Sequence, residues 1–73
     1  MDIKSFKSRM AQVEGMDITV VDFEGNRYQV VDIDYISPKG EFVGLNLKKD
    51  QFVELEMETI TQVLGNGIDA FDL

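Results

Sequence analysis

The apolar residues Ile3, Phe6, Met10 and Val13 recur three and four positions apart, and after Gly15 the apolar residues recur mostly at every second position. That change of period constrains the fold more than any other feature. A spacing of three to four gathers side chains on one helical stripe, whereas a spacing of two puts them on one face of a strand. The chain therefore reads as one amphipathic helix over 3–14 followed by sheet. Asp2 precedes the stripe as an N-cap, Lys4, Ser5, Ser8 and Gln12 face away from it, and Gly15 stands where a helix ends in a left-handed residue.

"MDITVVDF" and "RYQVVDIDYIS" are rich in Val, Ile, Tyr and Phe and flank Glu24-Gly25-Asn26, the composition of a tight hairpin. The doublets Val20-Val21 and Val30-Val31 break strict alternation, which predicts a β-bulge or a strand covered on both faces. Pro38 and Gly40 make a second turn, after which "FVGLNLKK" predicts Val43, Leu45 and Leu47 on one face. Lys48-Lys49-Asp50 makes a third turn. In "QFVELEME" Val53, Leu55 and Met57 point inward and Glu54, Glu56 and Glu58 outward, and "TITQVL" offers Ile60 with Val63 or Leu64 to complete the core.

One helix and five short strands joined by tight turns predict a mainly β (α+β) domain, a five-stranded antiparallel SH3-like or Sm-like small barrel over 1–64, in which closure removes exposed strand edges. An open meander with the helix packed on one face is the alternative. Residues 65–73, "GNGIDAFDL", read as a flexible acidic and apolar tail, in which Phe71 and Leu73 either dock into a partner's groove or pack back onto the domain.

The totals exclude several chemistries. With 73 residues the chain lies near the size at which one core barely outweighs chain entropy, so a homo-oligomer is one route to stability. There is no cysteine and no histidine, which removes thiolate metal sites, disulfides and the commonest general base together. The missing cysteines and the lack of an apolar run of roughly 20 residues predict a cytoplasmic chain with no membrane span. Lys4, Lys7 and Arg9 against Asp2 leave +2 on residues 1–13, and the remaining four basic and thirteen acidic groups put −9 on residues 14–73. Such a body repels phosphate backbones, so direct nucleic-acid binding is disfavoured.

No catalytic set assembles. Ser5, Ser8 and Ser37 lack a histidine to activate them, and Gly65-Asn66-Gly67 opens no helix that could cradle a phosphate. Asp32 and Asp34 share a strand face near Asp22 and Glu24, but they lack the loop spacing of a calcium site and read first as solvated carboxylates. No enzyme activity, cofactor or metal is expected. Lys4, Lys7 and Arg9 form the only basic cluster, an alternative nucleic-acid contact that reads first as the wet side of a helix.

Glu54, Glu56 and Glu58 remain the best lead. As the polar face of a half-buried strand they need no further role. Their interval along a strand, about 6.5–7 Å, also approaches the roughly 7 Å between phosphates two rises apart on a nucleic-acid strand. A surface of this kind, with Phe52 as its apolar anchor and Asp32 and Asp34 adding field, suits the basic site of a nucleic-acid-binding protein.

The same segments resemble a known family. The helix, "DITVVDFEGNRYQVVDIDYIS", "FVGLNLKK" and "VELEMETITQVL" are similar to Sm-like folds, and within them look most like the small acidic Rho-inhibitor proteins of the Rof type. The similarity is one of pattern and covers residues 3–64. Its most specific parts are the Gly25 hairpin and "LEMETITQV", where Ile60 holds the place of an apolar residue in the last strand. It implies a non-enzymatic inhibitor that lays an acidic surface against the RNA-binding site of a hexameric helicase. The chain lacks the histidine-bearing RNA-contact motif of Hfq-like rings and the Asn and Gly signatures with which Sm proteins hold uridines, so the resemblance does not extend to ring-type RNA binding.

Overall fold

The computed structural model describes residues 1–31 and 36–72. A helix, α1 (Ile3–Gln12), is followed by β1 (Ile18–Asp22), β2 (Arg27–Val30), β3 (Glu41–Asn46), β4 (Gln51–Glu56), a 3-10 turn at Met57–Thr59, β5 (Ile60–Gly65), β6 (Ile68–Asp69) and a second 3-10 turn at Ala70–Asp72. The six strands form one antiparallel sheet in the order β4-β3-β2-β1-β5-β6.

α1 forms as its residues dictate. The Asp2 carboxylate accepts a 2.8 Å hydrogen bond from the Ser5 backbone N–H, satisfying one of the donors that a helix start leaves open. That bond holds the Asp2 carboxyl below the usual carboxylate range. The helix ends two residues earlier than its apolar period predicts, with Val13 as C-cap, and Gly15 takes the expected left-handed conformation at φ 83°. Phe6, Met10 and Val13 are buried and Ile3 packs against them. The stripe lies on the inner face of the sheet, where the Phe6 and Phe42 rings meet at 5.2 Å with a tilt of 35°, a favourable aromatic geometry.

The five-stranded barrel is not what forms. Among the described residues no ladder joins β4 to β6, so the sheet is open and has two edges. The 3-10 turn at Met57–Thr59 ends β4 and delivers the chain to β5, which pairs with β1 on the other side of the sheet. The helix covers the inner face that closure was expected to seal, as in the open alternative, but only β1 to β4 run as a meander, because β5 crosses over to pair with β1. Gly65 ends β5, Asn66 and Gly67 turn the chain into β6, and the tail beyond packs back through β6 and the buried Ala70.

Strand details follow local chemistry. The Val20-Val21 doublet coincides with an irregularity: the β1–β5 register shifts between Val21 and Asp22, and both valines are buried. At the second doublet β2 simply ends at Val30, leaving Val31 exposed. Val43 and Leu45 share one face of β3, as expected, but it is the outer face, and Leu47 lies beyond the end of the strand. Phe42 and Gly44 are buried, whereas Val43 is exposed, Leu45 is only half-buried and Leu47 is 52% exposed. Gly44 explains the choice, because a Cβ at this position would stand 2.6 Å from Leu55 Cδ1 and 2.9 Å from Tyr28 Cβ. The missing side chain is the space that Leu55 and Tyr28 occupy.

The turns are set by side chains. In the β1–β2 hairpin the Asp22 carboxylate accepts from the Asn26 N–H at 2.8 Å, the Glu24 N–H at 3.0 Å, the Asn26 amide at 3.2 Å and the Tyr28 hydroxyl at 3.0 Å. Desolvation opposes the charge on Asp22, but these donors outweigh it and hold the carboxyl below its ordinary range. Desolvation, reinforced by the bond to Asp22, raises the Tyr28 hydroxyl. Between β2 and β3, Ser37 Oγ accepts from the Lys39 and Glu41 N–H groups, and between β3 and β4, Asn46 Oδ1 accepts from those of Lys48 and Lys49.

Candidate functional site

The outer face of β3 and β4 carries three of the residues singled out from the sequence, Phe52, Glu54 and Glu56. The ladder sets Leu45 opposite Phe52, Val43 opposite Glu54 and Glu41 opposite Glu56. Phe52 is 69% exposed, and Glu54, Glu56 and Glu41 are exposed beside it. The face thus grades from an apolar end, Leu45 and Phe52, to an acidic end, Glu41 and Glu56. No basic residue stands opposite either glutamate of β4. Like charges directly across a ladder are unfavourable, so the Glu41–Glu56 pair works against the stability of the sheet.

Between these strands and the preceding turn lies a shallow depression of about 150 Å³ lined by Ser37, Glu41, Phe42, Val43 and Glu54. Two carboxylates and an exposed valine frame it. It is too small for a drug-sized ligand, whose pockets run to roughly 300–1,000 Å³.

Glu58 is placed differently from its sequence neighbours. It is exposed but sits in the 3-10 turn, off the alternation that aligns Glu54 with Glu56, so the row of three carboxylates is a pair followed by an outlier. The Thr59 hydroxyl donates to the Glu56 carbonyl at 2.8 Å and secures that turn. Asp32 and Asp34 lie outside the described residues, as does Leu73.

The basic cluster divides: Lys4 and Arg9 line one depression with Phe71, and Lys7 is not among its lining residues. Lys4 and Lys7 are exposed on α1, while the Arg9 guanidinium lies 5.5 Å from the centre of the Phe71 ring, a cation–π contact. Phe71 itself remains 78% exposed; its neighbour Ala70 is the residue of that turn that enters the core. Among the described residues no group of three or more acidic side chains is placed to hold a metal ion. The Asp22 carboxylate, one candidate oxygen donor, is taken up by the hairpin. Among the described residues no helix is long and apolar enough to cross a membrane.

Glu41, Val43 and Leu45 are the site residues that sequence reasoning missed. The signal was present in "GEFVGLN": once Phe42 and Gly44 are inward, Glu41, Val43 and Leu45 fall on the outer face together. Their position opposite β4 depends on the hairpin register, which no single strand reveals.

The fold is that of a small, mainly β α+β domain. Searches with protein-family models, among curated proteins and among solved structures found no match to this chain.

Proposed function

We propose that this domain is a non-enzymatic interaction module that uses the outer face of β3–β4 to bind a basic protein, one that itself binds nucleic acid, and so regulates or inhibits it. The observation that carries this reading is the exposed row Phe52, Glu54 and Glu56, faced across the ladder by Glu41 instead of by a basic residue. An uncompensated acidic pair is retained at a cost to the sheet, and a partner's lysines or arginines relieve that cost. Phe52 supplies the apolar anchor that charged surfaces need for affinity as well as for steering. Glu58 adds field from the adjoining turn, as do Asp32 and Asp34 in the same negative body. The resemblance to Rof-type inhibitors points to the same class of partner. The cysteine-free, acidic composition fits a cytoplasmic setting.

The test is affinity capture from a native lysate of the source cells, with the wild type and with the variant carrying Glu54→Lys, Glu56→Lys and Glu58→Lys. A basic nucleic-acid-binding protein released by a salt step from the wild type and absent from the folded variant is the expected result. Equal capture by both refutes the reading. RNA retained and then lost on substituting Lys4, Lys7 and Arg9 assigns the helix as the site instead, and a discrete oligomer with no captured partner assigns a structural subunit.

A further inference from the structure

The acidic face lies on a strand at one end of the sheet order. β4 is the first strand of the sheet order, and among the described residues nothing pairs with its far edge. Which backbone groups point there follows from the ladder. The Met57 N–H donates to the Gly40 carbonyl at 2.9 Å, and Val31 donates to the Val43 carbonyl, so Val43 bonds toward β2 and the even-numbered residues of β3 bond toward β4. Hydrogen-bonding direction alternates along a strand. Gln51, Val53 and Leu55, of the same parity as Met57, therefore turn their backbone groups to β3, and Phe52, Glu54 and Glu56 turn theirs to the open edge. The three residues that form the outer acidic and aromatic row also turn their backbone groups to that edge, where among the described residues no strand pairs with them; the Glu56 C=O alone is already taken, by the Thr59 hydroxyl.

Resting on the function proposed above, we infer that the partner docks by strand addition: an extended segment of the basic protein pairs antiparallel with β4 at Phe52, Glu54 and Glu56. Side chains directly opposite in an antiparallel pair share a face. The segment that fits carries lysine or arginine opposite Glu54 and Glu56, an aromatic or long apolar residue opposite Phe52, and small apolar residues at the intervening positions opposite Leu55 and Val53. Backbone hydrogen bonds supply affinity and the alternate side chains supply specificity, as in other strand-addition complexes. A second copy of this chain is a poor occupant. Antiparallel self-pairing centred on Glu54 sets that carboxylate against its own copy, and a shift of register toward Glu56 sets Glu54 against Glu56.

The probe is a capped peptide, Ser-Lys-Val-Lys-Val-Tyr-Ser, whose lysines meet Glu56 and Glu54 and whose tyrosine meets Phe52 in this register. Two derivatives carry one backbone N-methyl group each, on the lysine opposite Glu54 or on the valine that follows it. In this register the lysine N–H faces β4 and the valine N–H faces away. Titration at low salt is expected to show a Kd raised roughly tenfold or more by the first methyl group and changed less than about twofold by the second. Amide exchange should slow at Phe52, Glu54 and Glu56 when the parent peptide is bound. Equal affinities for all three peptides with no added protection overturn strand addition, while the acidic-face reading survives if the peptides still fail to bind the Glu54→Lys, Glu56→Lys variant. Failure of the parent peptide to bind at all also overturns it, and lysate capture then judges the acidic face separately. A free protein that sediments as a dimer with these amides already protected assigns the edge to a second copy and overturns it as well.

Discussion

Replacing Gly44 with alanine tests the packing that orients the β3–β4 face. Gly44 sits between Val30 and Val53 in the ladder, on the buried side of β3. The added methyl lies 2.6 Å from Leu55 Cδ1 and 2.9 Å from Tyr28 Cβ, both closer than carbon atoms tolerate. Leu55 can rotate only within the core, and Tyr28 Cβ is fixed to β2, so relief requires β2 and β3 to separate. Overpacking of this kind costs about 1–3 kcal/mol. Against it stands a gain of about 0.4–1 kcal/mol from the stiffer unfolded chain. A net loss near 1–2 kcal/mol is a large share of the roughly 4–11 kcal/mol expected for a chain of 73 residues. It lowers Tm by about 5–15 °C. Urea unfolding of Gly44→Ala, Leu55→Ala and the double variant separates the causes, because the double variant should be less destabilised than the sum of the singles by at least about 1 kcal/mol. Gly15→Ala is the control. It has open space around the position and a left-handed φ, so it should lose about 1–2 kcal/mol from backbone strain alone, whatever residue 55 is. A Gly44→Ala variant as stable as the wild type, or strict additivity with Leu55→Ala, refutes the argument that Gly44 is kept for space.

Glu41→Lys converts a like-charged ladder pair into an opposite one. It should stabilise the domain by about 0.2–1 kcal/mol in thermal melts while weakening partner capture, so stability and binding move in opposite directions. Asp22→Ala leaves the β1–β2 turn donors without their acceptor, and a loss of about 1–3 kcal/mol should appear in denaturant titrations. The Asp22 carboxyl is depressed in the folded state, so the stability it gives is present above the unfolded pKa and is lost as pH falls through the folded one. Wild-type Tm should therefore decline below about pH 4, and Asp22→Asn should flatten that part of the curve. Deleting residues 66–73 removes β6 and the buried Ala70. Circular dichroism melts should show a clear drop in Tm; no change would mean that the segment contributes nothing to the core.

Local chemistry made much of this fold legible. The stripe Ile3, Phe6, Met10 and Val13, the Asp2 cap, the left-handed Gly15 and the Val20-Val21 irregularity each depend on residues close in sequence and appear where the spacing places them, although the helix itself stops at Gln12. The face of β3 was not legible in the same way. Counting apolar residues in "FVGLNL" favours Val43, Leu45 and Leu47 over Phe42, Gly44 and Asn46. The decision lies with the Phe6 ring, the Leu55 methyl and the Tyr28 Cβ, all distant in the chain. The acidic site divides similarly. Glu54 and Glu56 follow from strand period alone, whereas Glu58 leaves the row because a 3-10 turn begins one residue after Glu56, and Glu41 joins it only through the register of a hairpin. The missing barrel has the same origin, since whether edges meet depends on how far strands curl and not on how many there are.

The position of β1 has a consequence for how the chain acquires this structure. The ladders β1–β2, β2–β3 and β3–β4 each join neighbours in sequence, but the second ladder of β1 pairs Ile18 with Gly65. Contacts of such separation require closure of almost the whole sheet-forming chain before they reward it, and proteins rich in them fold slowly. Until β5 arrives, a meander of β1 to β4 presents Ile18, Val20 and Val21 on a strand with one open edge. The rate of folding should therefore respond to the length of the connections between β2 and β5 more than to the propensity of α1, and lengthening the Pro38–Gly40 turn with glycines should slow refolding while leaving unfolding nearly unchanged.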